Sequence, residues 1–183
     1  MASIPPVCDF GWKAAEFNLT ATDDHTCSLA DIRGDNGTLL MFICNHCPYV
    51  LSVLDRIKRD AVALQDLGIG LAAICSNDPI SHPDDGFEQM REMALREGFS
   101  FPYLHDETQA VAHAYGASCT PDFFGFNVDD ELQYRGRLDN SGKSAQPGAQ
   151  RDLFNAMKQV SETGSGPSEQ FPSMGCSIKW KAA

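Results

Sequence analysis

The sequence has no apolar run approaching the roughly 18 residues needed to cross a bilayer; its longest lies near IGLAAIC, residues 69–75. The opening stretch, MASIPPVCDFGWKAAEF, lacks the basic segment and following apolar core that mark a secretory leader. These two absences make a cytoplasmic protein the expectation. Positive charge is scarce, with 14 Lys and Arg against 25 Asp and Glu and a formal net charge of −11. A field of that sign repels nucleic acid and anionic membranes, so neither is expected as a partner. No internal repeat or low-complexity tract interrupts a composition that is 43% hydrophobic and 21% charged, which is ordinary for a globular chain. A length of 183 residues allows one domain with a sizeable core and would be cramped for two. Seven cysteines, an odd number, do not make a secreted disulfide framework. There is also no second Cys-x-x-Cys to complete a four-ligand zinc site, and neither a metal nor a bound cofactor is expected.

What is present is one Cys-x-x-Cys, in FICNHCPYV, residues 42–50, with His46 between the cysteines and Pro48 directly after them. It sits between two different periodicities. Before it, GTLLMFI, residues 37–43, is a continuous apolar run behind the turn signal RGDNG and predicts a strand buried on both faces. After it, Val50, Val53, Leu54, Ile57, Ala61, Leu64 and Leu67 recur at steps of three and four, predicting an amphipathic helix with Pro48 in its first turn and Gly68 at its end. A second buried strand over 69–77 and a helix from Phe87 to about Glu97 extend the order to β-α-β-α. A short helix over 108–116 follows, then two strands in CTPDFFGFN and ELQYRGRLD joined at Asp129 and Asp130, and a last helix over 149–162. Upstream, EFNLTATDDHTCSLADIRG alternates as an N-terminal hairpin. The sum is an α/β chain with a mixed central sheet flanked by helices, and Cys44 at the C-terminal end of a central strand, the edge where ligand chemistry concentrates.

FICNHCPYV, YGASCTPDFFGFN, YRGRLD and GCSIKW together resemble the thioredoxin-like redoxin family, whose members include thiol-disulfide isomerases and peroxiredoxin-like proteins. The resemblance covers nearly the whole chain. It implies a thioredoxin-like fold with an N-terminal β-hairpin extension over residues 1–164, followed by a linker and C-terminal tail over 165–183. It also implies that Pro121 is cis and abuts the cysteines, and that Thr120 offers backbone hydrogen bonds to a bound peptide. The partners implied are a disulfide-containing protein or small thiol substrate and an external reductant or oxidant.

Residues three apart at a helix start have Cβ atoms about 5–6 Å apart, so the two sulfurs can bond and separate with little adjustment. Cys44, just ahead of the helix, is expected to face unpaired backbone N–H groups and the positive end of the dipole, which makes it the expected thiolate and nucleophile. Cys47, one turn inside, is expected to be the less exposed, resolving thiol. His46 as an imidazolium beside Cys44 would stabilise the thiolate and make the disulfide a better oxidant, and Cys-x-His-Cys is similar to the active site of protein disulfide isomerases. Two family features are missing. Thr38 stands where thioredoxin has its buried carboxylate, and Gly37 and Met41 stand where peroxiredoxins have proline and threonine. The expected activity is therefore thiol-disulfide exchange. A peroxiredoxin-like peroxidase ranks second, with a noncatalytic redox-sensing or metal-binding module third. Cys119, beside Thr120, and Cys176, beyond a flexible linker, are secondary redox candidates. Arg135 and Arg137 read as surface residues that are solvated or paired with Asp139.

Overall fold

A computed structural model describes residues 2–6 and 8–182. The strands are β1 Ala2–Ser3, β2 Asn18–Ala21, β3 Thr26–Ser28, β4 Thr38–Phe42, β5 Gly70–Cys75, β6 Tyr103–His105, β7 Cys119–Thr120, β8 Asp122–Phe126, β9 Leu132–Tyr134 and β10 Gly175–Ser177. The helices are α1 Leu29–Ile32, α2 Pro48–Gln65, α3 Phe87–Glu97, α4 Ala110–Tyr115 and α5 Asp152–Thr163. Seven strands form a mixed sheet in the order β3-β2-β6-β5-β4-β8-β9. Within it β4, β5 and β6 run parallel, while β8 and the N-terminal hairpin pair antiparallel. A separate small sheet has the order β1-β10-β7.

The continuous apolar run in β4 explains its central place. Leu39, Met41 and Ile43 pack on one face of the sheet with Val50, Ile57 and Leu64 of α2 and Met157 of α5. Leu40 and Phe42 pack on the other with Phe17, Ala112 and Tyr115. Each buried Val, Leu, Ile, Phe or Met among them contributes roughly 1.5–3 kcal/mol. Together they fix the last residue of β4, and hence the loop that carries Cys44, against a rigid sheet edge.

Several local differences from the sequence reading have physical causes. Cys47 is not inside the helix: it is the N-cap, with φ −69° and ψ 119°, and Pro48 opens α2. The ring of a proline disfavours helical backbone in the residue before it, which keeps Cys47 extended. Part of the stretch expected as hairpin is helix α1, started by a capping box in which the Ser28 and Asp31 side chains satisfy each other's backbone N–H groups. The short segment Tyr103–His105, not marked as a strand, fills the place between β2 and β5. CTPDFFGFN is two strands, because the Thr120–Pro121 bond is cis and divides β7 from β8. Arg135 is buried rather than at the surface, bonded to Asp122 at 2.9 Å, while Arg137 pairs with Asp152 and Asp139 with Arg56.

Candidate active site

Two residues past β4 the chain turns through Cys44, Asn45, His46 and Cys47 before α2 begins. Both cysteines are fully buried. Thr120 joins them: its hydroxyl lies 3.3 Å from the Cys44 sulfur, and its carbonyl accepts from the Cys47 thiol at 3.1 Å. The cis peptide bond that follows Thr120 places Pro121 at this point. The structure thus brings Cys44, Cys47, Thr120 and Pro121 together, as the sequence led one to expect.

The two sulfurs lie against each other, so their mutual contact is the first influence on both ionisations; burial raises both thiols, Asp85 raises Cys44 further while the Thr120 hydroxyl lowers it, and the Cys176 thiol and the N–H groups of Val50 and Cys176 lower Cys47. The Thr120 carbonyl accepts the Cys47 proton, and the Thr120 hydroxyl can donate to the Cys44 sulfur.

Asp85 is the residue that sequence reasoning missed. It lies in a short 3-10 turn, Pro83–Asp85, in the loop after β5, and is fully buried. One of its oxygens accepts from the backbone N–H of Asn45 at 2.7 Å and of His46 at 3.3 Å. The other lies 2.6 Å from His46 Nδ1 and accepts from Asn77 Nδ2 at 2.7 Å. Asn77 in turn accepts the backbone N–H of Lys179, and Tyr103 donates its hydroxyl to Asn45. A buried carboxylate thus holds the Cys-x-x-Cys loop by its backbone and fixes the orientation of the His46 ring. His46 faces Asp85 and stacks on His82, with ring centroids 4.9 Å apart. Nothing in HPDDG signals this, because the contact spans some 39 residues of sequence.

Donor atoms of Cys44, His46 and Asp85 lie within 4.8 Å of one another, a three-ligand set that the count of Cys-x-x-Cys motifs had not anticipated. Both Asp85 oxygens are already engaged by four N–H or ring-nitrogen partners, so a cation there would have to displace protein hydrogen bonds.

The backbone of Thr120, expected to receive a peptide, is occupied by the chain's own tail: β10 pairs antiparallel with β7, Cys176 opposite Thr120 and Ser177 opposite Cys119. Cys176 is partly buried and reaches Cys47. Cys119 is fully buried, its thiol 3.5 Å from the Pro121 carbonyl, and is raised by burial and then by Asp122. Cys75 is a core residue pushed up to about 12 by burial, and Cys8 is pushed up to about 11 by the same cause. Beside Pro121 opens a groove of about 560 Å³ lined by Tyr49, Val53, Phe123, Arg137, Lys143 and Met174 among others.

Residues 10–138 match the model of the AhpC/TSA family. The chain is similar along its whole length to an uncharacterized conserved protein from Geobacillus kaustophilus, at 40% identity and a TM-score of 0.94, covering 100% of this chain and 98% of that one. It is similar to a hypothetical protein from Sinorhizobium meliloti 1021 at 33% identity and a TM-score of 0.90, covering 99% and 100%. A secreted Mycobacterium tuberculosis disulfide oxidoreductase, homologous to E. coli DsbE, shares the thioredoxin-like fold at 16% identity and a TM-score of 0.58, over 77% and 92% of the two chains. None of the curated proteins matches the chain.

Proposed function

The chain belongs to the AhpC/TSA family, within the thioredoxin-like redoxins, and from that premise we propose that it is a thiol-disulfide oxidoreductase whose working groups are Cys44 and Cys47. The observation that carries this reading is two buried cysteine sulfurs lying against each other at the start of α2, both in hydrogen-bond contact with Thr120. Only the thiolate is a competent nucleophile. Cys44, as thiolate, attacks one sulfur of the substrate disulfide; that S–S bond breaks, its other sulfur leaves with the electron pair and takes a proton from solvent, and a mixed disulfide forms on Cys44. Cys47 then gives up its proton and attacks the Cys44 sulfur. The second substrate thiolate leaves, and the Cys44–Cys47 disulfide closes. Two electrons have passed to the substrate. An external dithiol restores the pair, and an external oxidant drives the same steps in reverse. The Thr120 carbonyl, which accepts the Cys47 proton, and the Thr120 hydroxyl beside Cys44 support this order of attack.

His46 acts as a positioning residue through its contact with Asp85. Peroxide reduction ranks second: Gly37 and Met41 replace the proline and threonine of the peroxidatic motif, and Arg135 is engaged by Asp122 and the Gly116 carbonyl. No helix among the described residues is long and apolar enough to cross a membrane. We propose the cytoplasm as its compartment on the ground of its seven free thiols, which a reducing environment would maintain.

Turnover of oxidised glutathione and of hydrogen peroxide by the reduced protein, with dithiothreitol as terminal donor, tests the reading. Disulfide turnover should dominate and vanish in Cys44→Ser. Peroxide consumption approaching about 10⁸ M⁻¹s⁻¹ with slow disulfide exchange would overturn it in favour of the peroxidase.

A further inference from the structure

Resting on that reading of the pair, we propose that Cys176 is a third working thiol, which exchanges with the Cys44–Cys47 disulfide and carries the oxidised bond to the protein surface. Three independent features build its place. The tail strand β10 is held between β1 and β7, with Cys176 opposite both Ala2 and Thr120. Thr120 is the residue that contacts both active cysteines, so the register of this strand sets Cys176 against Cys47 and not merely near it. The backbones meet so closely that a Cβ on Gly175 would lie 2.1 Å from the Thr120 carbonyl oxygen, which means that only glycine permits this approach.

The tail is fastened on both sides of the cysteine. Ser173 donates to the Pro121 carbonyl at 2.6 Å, and the Ile178 N–H bonds the Ser118 carbonyl at 3.2 Å. Lys179 is held through both of its backbone groups, its N–H by Asn77 and its carbonyl by Gln109 and the Asp78 N–H. Trp180 stacks on His113 with centroids 4.2 Å apart. A merely covering segment would need no thiol at the one position facing Cys47. Exposure supplies the reason for a relay: Cys44 and Cys47 are fully buried, whereas Cys176 is partly exposed. A disulfide that includes Cys176 therefore offers an external dithiol a more exposed sulfur than the Cys44–Cys47 bond does.

The step balances without a further oxidant. Once a substrate has been reduced and the Cys44–Cys47 disulfide has closed, Cys176 loses its proton and attacks the Cys47 sulfur. The Cys44–Cys47 bond breaks, Cys44 leaves as thiolate and is protonated, and a Cys47–Cys176 disulfide forms. An external dithiol then reduces that bond. Cys176 is raised by burial and then by its contacts with Cys47. In a disulfide Cys47 carries neither proton nor charge, so the part of the rise that comes from Cys47 is lost at the stage that requires Cys176 to ionise.

The test is disulfide mapping of the full chain. Reduced protein is equilibrated in an oxidising glutathione buffer, trapped with N-ethylmaleimide, digested, and analysed by mass spectrometry. The relay predicts two species in the native sequence, an internal Cys44–Cys47 disulfide and a cross-link between the peptides bearing Cys47 and Cys176. Cys44→Ser should leave the cross-link as the dominant species, and Cys176→Ser should abolish it while the Cys44–Cys47 bond still forms. Cys44→Ala serves equally if the serine variant fails to fold. A Cys44–Cys47 disulfide without any cross-link to Cys176, in the native chain and in both Cys44 variants, overturns the relay and leaves the redox pair standing. Absence of both disulfides from the folded native chain overturns the relay and the proposed function together.

Discussion

Asp85→Asn is the most informative single substitution outside the cysteines. Asp85 serves four donors or ring nitrogens on two oxygens, and an amide offers one oxygen and one NH₂. If the amide oxygen stays with the Asn45 and His46 backbone N–H groups, the new NH₂ faces His46 Nδ1 and Asn77 Nδ2. The imidazole can change tautomer and accept. Asn77 cannot reverse its amide without losing the Lys179 N–H that its oxygen holds at 2.8 Å. One buried donor is then orphaned, at a cost of about 1–3 kcal/mol, and the remaining bonds lose their charge assistance, for roughly 2–4 kcal/mol in all. The variant should lose this stability in urea unfolding. Removing the Asp85 charge also lowers the Cys44 thiol, since that charge is one of the causes holding it up, and the change can be read from thiolate absorbance during a pH titration. The reasoning is refuted if Asp85→Asn unfolds like the native protein and its thiols titrate unchanged.

Three further outcomes follow from the same contacts. Cys47→Ser should accumulate a mixed disulfide on Cys44 when presented with a small disulfide, whereas Cys44→Ser should accumulate little on Cys47; the opposite pattern by intact mass would exchange the two roles. Gly175→Ala should lift β10 from Thr120 and open the site by roughly 1–3 kcal/mol, about 10- to 100-fold faster alkylation of Cys47, and an unchanged rate would mean that the tail does not shield the pair. Arg135→Met leaves the fully buried Asp122 without its cation and should cost about 3–5 kcal/mol at neutral pH. Asp122 is already raised by burial, with Arg135 opposing the rise. Loss of Arg135 raises it further, so the deficit should be largest above the shifted value and shrink as pH falls and the carboxyl is protonated. A deficit independent of pH, measured by thermal unfolding, would show that the ion pair is not its source.

The parts of the fold legible in the sequence were those with strong local periodicity. The apolar run of β4 and the three-four spacing of α2 placed Cys44 between a strand end and a helix, because burial on two faces and on one stripe leave distinct patterns, though Cys47 was expected one turn inside that helix and is its N-cap. The resemblance added the cis bond before Pro121. What escaped was set by long-range packing. Tyr103–His105 is too short to show a period, yet it completes the sheet. Asp85 looks like any acid in a polar loop until folding lays that loop over His46. Cys176 was one of two secondary candidates from its reach alone; its register opposite Thr120 is a property of the assembled small sheet. The place of Cys47 turned on a single residue, since the ring of Pro48 keeps the residue before it extended, at the N-cap and not inside the helix.

The central claim, that Cys44 and Cys47 form a reversible redox pair, is tested most directly by titrating the folded protein across a series of glutathione redox buffers and counting trapped thiols on the peptide that carries both residues. The account predicts a reversible two-electron transition in which that peptide loses both free thiols, with the transition disrupted in Cys44→Ser and in Cys47→Ser. A peptide that keeps both thiols across the whole series, or a disulfide turnover that survives both substitutions, would contradict it.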